Sequence, residues 1–348
     1  MASAEPAGAD TPDNTNLKTL YRQMRRIRTF EERVGELFVR GASSGSMLHL
    51  SIGEESAAAG VAGLLREGDT FTTHHRGHGI FLARGADPNR MMAEIAGQEE
   101  GYCRGKGGSM HIADMGLGHL GANAIVGGGI PAVVGAGLAA QRAREGAVSI
   151  AFFGDGAMQQ GILYEAMNMA ALWDLPVLFV CINNQYGMGT RIEQATKGRA
   201  LHARAHTFGL AGETVDGLDV RQVEAAAARL IDGARGGKPG FLAVECYRFF
   251  GHARMDKSPY RTEDDETEGR AKDPVLFART ALIDAGIADE ATLTRLDDEI
   301  AIEMDASIDF AVAGTEPPLA SMFRDVYAPG TPEPEPVRTR INRVLARD

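Results

Sequence analysis

Two apolar runs in the middle of the chain each end on residues that can hold a cation. Ala147–Phe153 stops at Gly154-Asp155-Gly156, and Val177–Ile182 stops at Asn183-Asn184. A carboxylate and a side-chain amide are hard oxygen donors, suited to Mg²⁺ or Ca²⁺ and poorly suited to zinc or copper. One carboxylate is too little for an all-protein cage, and magnesium commonly completes its octahedron with phosphate oxygens and water. The glycines beside Asp155 remove side-chain bulk, so backbone N–H groups and the next helix N-terminus can approach a phosphate. The donor set therefore predicts Mg²⁺ together with a diphosphate.

Further donors stand at other strand ends. Thr70–Thr73 delivers His74-His75-Arg76-Gly77-His78-Gly79, a dense cluster in which Arg76 offers a fixed fork of donors to phosphate oxygens. A zinc site is disfavoured by the spacing, because adjacent histidines on a strand point to opposite faces. Phe241–Tyr247 delivers Arg248, His252, Arg254 and Lys257. His49 stands among apolar neighbours in Met47-Leu48-His49-Leu50.

These donors need elements to carry them to one place. Between the two central runs, Leu163, Met167, Ala170 and Ala171 recur at helical spacing over Ile162–Trp173, and Asp174-Leu175-Pro176 breaks the pattern. If both runs are parallel strands joined by a helical crossover, Asp155 and Asn184 emerge at the same carboxyl edge of the sheet, where ligands of α/β proteins bind. Helices are expected at Leu17–Arg40 with Gly41 closing it, Gly53–Leu65, Ala132–Arg144, Val220–Arg235, about 274–285 and about 289–312. The arginine row Arg22, Arg25, Arg26 and Arg28 reads as a solvated face paired with Glu31, Glu32 and Glu36. About one-third of residues 97–129 are glycine, which reads as an ordered loop lining the cofactor. Residues 191–212 read as irregular.

The chain has 348 residues and 44% hydrophobic content, enough for a large core. The alternation of strands and helices between about 70 and 247 gives an α/β fold, a mainly parallel sheet with helices on both faces and helical additions at the ends. Residues 1–16 read as a disordered tail, 17–328 as one α/β domain, and 329–348 as a proline-rich linker and basic tail. A net charge of −11 argues against nucleic acid or an anionic membrane as partner. Cys103, Cys181 and Cys246 form no CxxC pair and suit a reducing compartment. A cytoplasmic location is expected, with no targeting segment and no apolar run long enough to span a bilayer.

The arrangement Gly154-Asp155-Gly156, 26 intervening residues, Asn183-Asn184 resembles the thiamine-diphosphate signature. With Arg-Gly-Lys-Gly-Gly-Ser-Met-His (104–111), Asn-Met-Ala-Ala-Leu-Trp (168–173), Tyr-Gly-Met-Gly-Thr (186–190) and Tyr-Arg-x-x-Gly-His (247–252), the chain resembles the alpha subunit of the decarboxylating component of 2-oxo acid dehydrogenase complexes. The resemblance implies that Asp155, Asn184 and the carbonyl of Tyr186 ligate Mg²⁺. It implies that Arg76, His252 and the backbone of Gly156 and Ala157 contact the diphosphate of thiamine diphosphate, and that Ala124 and Val126 hold the aminopyrimidine through backbone groups. His49 corresponds to an active-site histidine, and His49 and His252 are the candidate proton donors. His75 stands where many members have a phosphate-binding tyrosine, Ala124 replaces a common glycine, Ala253 occupies the position of a regulatory phosphoserine in animal relatives, and Phe250 lacks an additional histidine of some pyruvate enzymes.

The same resemblance implies a beta subunit in an α₂β₂ heterotetramer, which supplies the glutamate that activates the cofactor, and a lipoyl-bearing acyltransferase that receives the two-carbon unit. Thr73–Gly79 and Leu120–Gly127 look like the acetoin branch and Tyr186–Thr190 like the pyruvate branch, while a branched-chain substrate fits less well. An NAD-dependent dehydrogenase would need a third glycine that Gly154-Asp-Gly-Ala-Met-Gln159 lacks. A non-catalytic scaffold of the same fold is disfavoured because both metal ligands and Arg76 are intact.

Overall fold

Alternating burial along the central strands builds two cores from one sheet. In Ser149–Gly154, Ile150 and Phe152 pack into one core while Ala151 and Phe153 pack into the other. Val177–Asn183 divides in the same way, with Leu178, Val180 and Ile182 on one side and Val177, Phe179 and Cys181 on the other. Unbroken apolar runs are required when both faces of a strand are covered.

The structure, a computed structural model, describes residues 13–44, 47–143, 146–198, 200–328, 330–332 and 335–346. The expected N-terminal tail up to residue 12, Arg144 at the end of one expected helix, part of the proline-rich linker and the last two residues lie outside them. Helices α1 (Leu17–Val39) and α2 (Glu55–Ala62) precede strand β1 (Thr70–Thr73). Helices α3 (His78–Ala83) and α4 (Pro88–Ala96) lead through the glycine-rich segment to β2 (His119–Ala122). Then come α5 (Ile130–Ala143), β3 (Ser149–Gly154), α6 (Gly161–Leu172) and β4 (Val177–Asn183). The small hairpin β5 (Tyr186–Gly187) and β6 (Thr190–Arg191) and the one-turn helices α7 (Ile192–Ala195) and α8 (Ala203–His206) follow. Next are β7 (Ala211–Asp216), α9 (Val220–Arg235) and β8 (Gly240–Glu245), and the described chain closes with α10 (Glu263–Ala271), α11 (Pro274–Asp284), α12 (Glu290–Val312) and α13 (Val337–Leu345).

Six strands form one sheet in the order β2-β1-β3-β4-β8-β7, every neighbouring pair parallel. Helices α1, α2 and α9 cover one face, and α5 and α6 the other. The edge strand β2 falls in a stretch read as loop, and β7 begins at the end of the stretch read as irregular and was not expected as a strand, because neither has an apolar run.

Local chemistry sets the helix ends. Asp87 caps α4 by accepting from Asn89 N–H, Pro88 occupies the first turn, and Gly97 ends the helix at φ 81°. The arginine row of α1 corrects one expectation. Arg26 and Arg33 pair with Glu303 and Asp305 of α12, Arg28 lies buried between Glu55 and Asp273, and Glu31 is fully buried. The face is ion-paired, but Arg26, Arg28 and Glu31 are partly or fully covered by α11, α12 and the start of α2, while Arg22, Glu32 and Glu36 stay exposed.

Among the described residues, no helix is long and apolar enough to cross a membrane. The three cysteines are free thiols.

Candidate active site

The register of the two central strands fixes where their polar ends meet. Gly154 pairs with Ile182, so Asp155 and Asn184, one and two residues further on, leave neighbouring strands at the same carboxyl edge. A Cβ on Gly156 would stand 3.6 Å from the Cα of Gly187, so the turns that follow the two strands touch. Gln185 and Met188 take left-handed backbone, φ 74° and 59°, which folds the second turn back over the first.

Asp155 and Asn184 line one cavity of about 490 Å³, together with His49, His75, Arg76, Ala124, Val126, Gly156, Ala157, Tyr186 and His252. Every site residue that the family resemblance implied thus lines one cavity. Arg254 and Lys257 do not: Arg254 stacks on Phe250 and Lys257 is exposed. A second cavity of about 620 Å³ lies beyond Tyr186 against the tips of β7 and β8, but it contains neither Asp155 nor Asn184.

Burial pushes the Asp155 carboxyl up to about 6, against the opposing influence of Arg248 and Arg76. A cation beside it would reverse that shift. Arg76 is buried and donates from Nη1 to Leu50 O (3.0 Å) and from Nη2 to His252 O (2.6 Å), with His252 Nδ1 3.2 Å from the same nitrogen. Desolvation, then Arg248, lowers its guanidinium to about 10, still charged at neutral pH. Oxygen ligands for a hard cation therefore stand in one cavity with guanidinium donors for an anion. This combination fits a magnesium diphosphate.

The histidines gather differently from the expected cluster. His49, His75 and His252, from three separate segments, stack edge to face or tilted, with ring centroids 4.7, 4.8 and 5.4 Å apart. Their ligand-capable atoms lie within 4.8 Å of one another. The strand-alternation argument did not apply to them, because β1 ends at Thr73, before the first histidine. His78 turns away and meets Glu31 and Ser109. Burial, then Arg76, holds His49 down at about 3, and burial with Arg76 holds His252 at about 4. Burial pushes His75 far below the imidazole range, with His74 and Arg76 adding to it. At neutral pH these rings are neutral, so they can donate or accept a hydrogen bond but carry no resident positive charge. Nδ1 of His49 is buried with no hydrogen-bond partner among the described residues.

One residue, Glu54, escapes notice in the sequence, and another, Arg248, stands there only as a strand-end donor with no role assigned. Glu54, just before α2, accepts from Nδ2 of Asn184 at 2.7 Å, while Oδ1 of Asn184 accepts from Tyr186 N–H at 3.2 Å. The amide orientation of Asn184 is thereby set. Burial raises the Glu54 carboxyl to about 7. In the sequence Glu54 reads only as the acidic start of a small-residue helix. Arg248 is fully buried, lines the cavity and donates to Phe250 O, Met188 O and Tyr260 Oη, with Tyr186 O at 3.5 Å. Its position one residue after a strand-end tyrosine was a usable signal.

With that geometry in place, comparison with known proteins decides the family. The model of the dehydrogenase E1 component family matches residues 22–319. The chain belongs to this family. The alpha subunit of acetoin:2,6-dichlorophenolindophenol oxidoreductase from Cupriavidus necator is 43% identical over 317 residues, covering 90% of this chain and 95% of that one. Its counterpart from Bacillus subtilis is 41% identical over 310 residues, with 88% and 92% covered. The pyruvate dehydrogenase E1 component alpha subunit of Rhizobium meliloti is 39% identical over 308 residues, with 88% of each chain covered. Dehydrogenase E1 components are oxidoreductases that depend on thiamine diphosphate, and this chain is of the alpha-subunit type.

Proposed function

We propose that this alpha subunit binds the Mg²⁺-diphosphate end of thiamine diphosphate and, with a beta subunit, cleaves acetoin or pyruvate and passes the two-carbon unit to a lipoyl group. The convergence of Asp155, Asn184 and Arg76 on one cavity carries this reading. Asp155 and the Asn184 amide oxygen would ligate the metal, with the Tyr186 carbonyl as a third protein donor. Arg76, Arg248, His75 and His252, with the backbone N–H groups of Gly156 and Ala157, would face the diphosphate. Ala124 and Val126 would hold the aminopyrimidine through backbone groups. When bound, thiamine diphosphate supplies a nucleophilic carbon and an electron sink.

His49 and His252 enter as neutral rings. Each can hold a substrate oxygen through an N–H, and the negative charge of a diphosphate beside them would raise their basicity enough to move a proton. A partner is supported by the cavity rim, where Met47, Ile125, Val126 and Met188 are all more than half exposed. Clustered exposed apolar side chains of this kind mark protein interfaces. The relatives named for acetoin are 41% and 43% identical and one named for pyruvate is 39% identical, which favours acetoin, with pyruvate second.

The test is to co-express the chain with its candidate beta subunit and follow reduction of 2,6-dichlorophenolindophenol with acetoin, pyruvate and branched 2-oxo acids. Activity should require both thiamine diphosphate and Mg²⁺. Activity with none of these substrates in the assembled, cofactor-loaded complex would refute the reading. Asp155→Ala should abolish retention of Mg²⁺ and thiamine diphosphate while circular dichroism stays native, and unchanged cofactor affinity would remove Asp155 from the metal site.

A further inference from the structure

His78, which the site described above leaves unused, sits in a buried network that joins two walls of the cavity. Its Nδ1 lies 3.2 Å from Oε2 of Glu31 and its Nε2 3.0 Å from the carbonyl of Ser109. The Glu31 carboxylate and the Ser109 carbonyl both accept, and Ser109 Oγ also lies 3.0 Å from Nε2; with both acceptors engaged the ring carries a proton on each nitrogen, an imidazolium paired with a carboxylate. The Glu31 carboxylate and the Ser109 carbonyl favour the charged form, and the imidazole stays above its usual range even though burial opposes it. Both side chains are at most 1% exposed.

The other Glu31 oxygen, Oε1, accepts from Ser51 N–H at 3.1 Å and Ser51 Oγ at 2.6 Å. Ser51 lies two residues beyond His49. Ser109 lies one residue before Met110, which lines the same cavity. The segment before Ser109 is itself rigidified by Glu94, whose carboxylate takes four backbone N–H groups: Cys103 and Gly105 on one oxygen, Gly107 and Gly108 on the other. The glycine-rich segment therefore moves as one piece. What ties that piece to the His49 wall is the Glu31–His78 pair.

We infer that Glu31 and His78 are positioning residues that lock the 103–110 segment and the His49 segment into one body around the bound cofactor. Neither touches the cavity residues Asp155 or Asn184, and they act through Ser51 and Ser109. The inference rests on the cavity being the thiamine-diphosphate site, but its first readout does not.

The experiment uses the full chain assembled with its beta subunit and compares wild type, Glu31→Gln, His78→Asn and the double variant. Without ligand, trypsin cleavage at the exposed Arg104 should accelerate about tenfold in each single variant, and the double variant should be no faster than either, because one interaction is lost in all three. With thiamine diphosphate and Mg²⁺, the dissociation constant for the cofactor should rise by a similar factor of about ten while kcat at saturation changes less than about twofold. With ¹⁵N-labelled histidine, one ring should keep both its protons to higher pH than an ordinary imidazole in wild type and lose that advantage in Glu31→Gln. Ser109→Ala, which keeps the carbonyl acceptor, should behave as wild type. Wild-type cleavage rates in Glu31→Gln, additive effects in the double variant, or the absence of a doubly protonated ring would each overturn the inference. Failure of wild type to bind the cofactor, with the cleavage pattern as expected, would instead overturn the functional reading alone.

Discussion

Asp155 and Asn184 show how far single residues can be read. Their chemistry is visible in the chain because each follows an apolar run directly, and a residue in that position has one place to go. Glu54 was not visible in this way. Its role comes from one contact across 130 positions of sequence, the hydrogen bond to Asn184, and no pattern of spacing encodes it. That contact fixes which end of the Asn184 amide would face the proposed metal. Groups that orient a ligand from behind typically change metal affinity by about 10–100-fold when removed. Glu54→Ala should therefore weaken Mg²⁺ binding within that range, measured by titration at saturating thiamine diphosphate. Glu54→Gln, whose amide oxygen still accepts from Asn184, should stay within about threefold of wild type by the same argument. Equal losses in the two variants would show that charge rather than orientation matters.

At the scale of elements, the two edges of the sheet do different work. The carboxyl edge gathers the polar ligand residues, and the amino edge is tied for stability. Asp69 accepts from Arg66 N–H and Val148 N–H, and Arg235 at the end of α9 grips it with both Nη atoms. One carboxylate thus joins the starts of β1 and β3 to a helix. Asp69→Ala strands the Arg235 guanidinium and two backbone donors, and should lower unfolding free energy by about 3 kcal/mol. Cofactor affinity should stay unchanged, and its loss in the folded variant would count against this separation of edges. Legibility follows the same physics. The buried strands β3, β4 and β8 and the helices α1, α9, α11 and α12 were readable because burial imposes an apolar pattern on them. The edge strands β2 and β7 were not, since an edge strand has one neighbour and Ala211–Asp216 is partly or fully exposed throughout. The arginine row of α1 misled for a related reason: α12, which carries two of its partners, lies more than 250 residues away.

The whole molecule has a distinctive proton balance. Burial, with neighbouring cations, holds His49, His74, His75 and His252 below the usual imidazole range, and burial alone does so for His119. An unfolded chain takes up protons at these five rings below about pH 6.5, and the folded chain does not, so they remove stability as pH falls from there toward about 4. Glu54 and Asp155, raised to about 7 and about 6, act the other way, because the folded chain keeps protons that the unfolded chain has released. His202 is lowered and His78 raised as well, so six groups outweigh three. Denaturant unfolding should give a smaller free energy at about pH 5 than at about pH 6.5, the span over which an ordinary histidine takes up its proton. Equal or greater stability at the lower pH would mean that the histidine-lined cavity is wetter in solution than its packing indicates.

The guanidiniums of Arg76 and Arg248, facing the cavity from the segments that follow β1 and β8, have a practical corollary. They are hydrogen bonded to carbonyls, an imidazole and a phenol, and Arg248 depresses the proton affinity of Arg76. A simple anion relieves that repulsion, and any ligand that prefers the folded state shifts the melting curve upward. Inorganic pyrophosphate alone, without the vitamin-derived rings, should therefore raise the melting temperature, whereas chloride at equal ionic strength should not. A phosphate buffer would compete for the same pair, so purification in it would understate cofactor affinity and make a well-folded preparation look cofactor-indifferent.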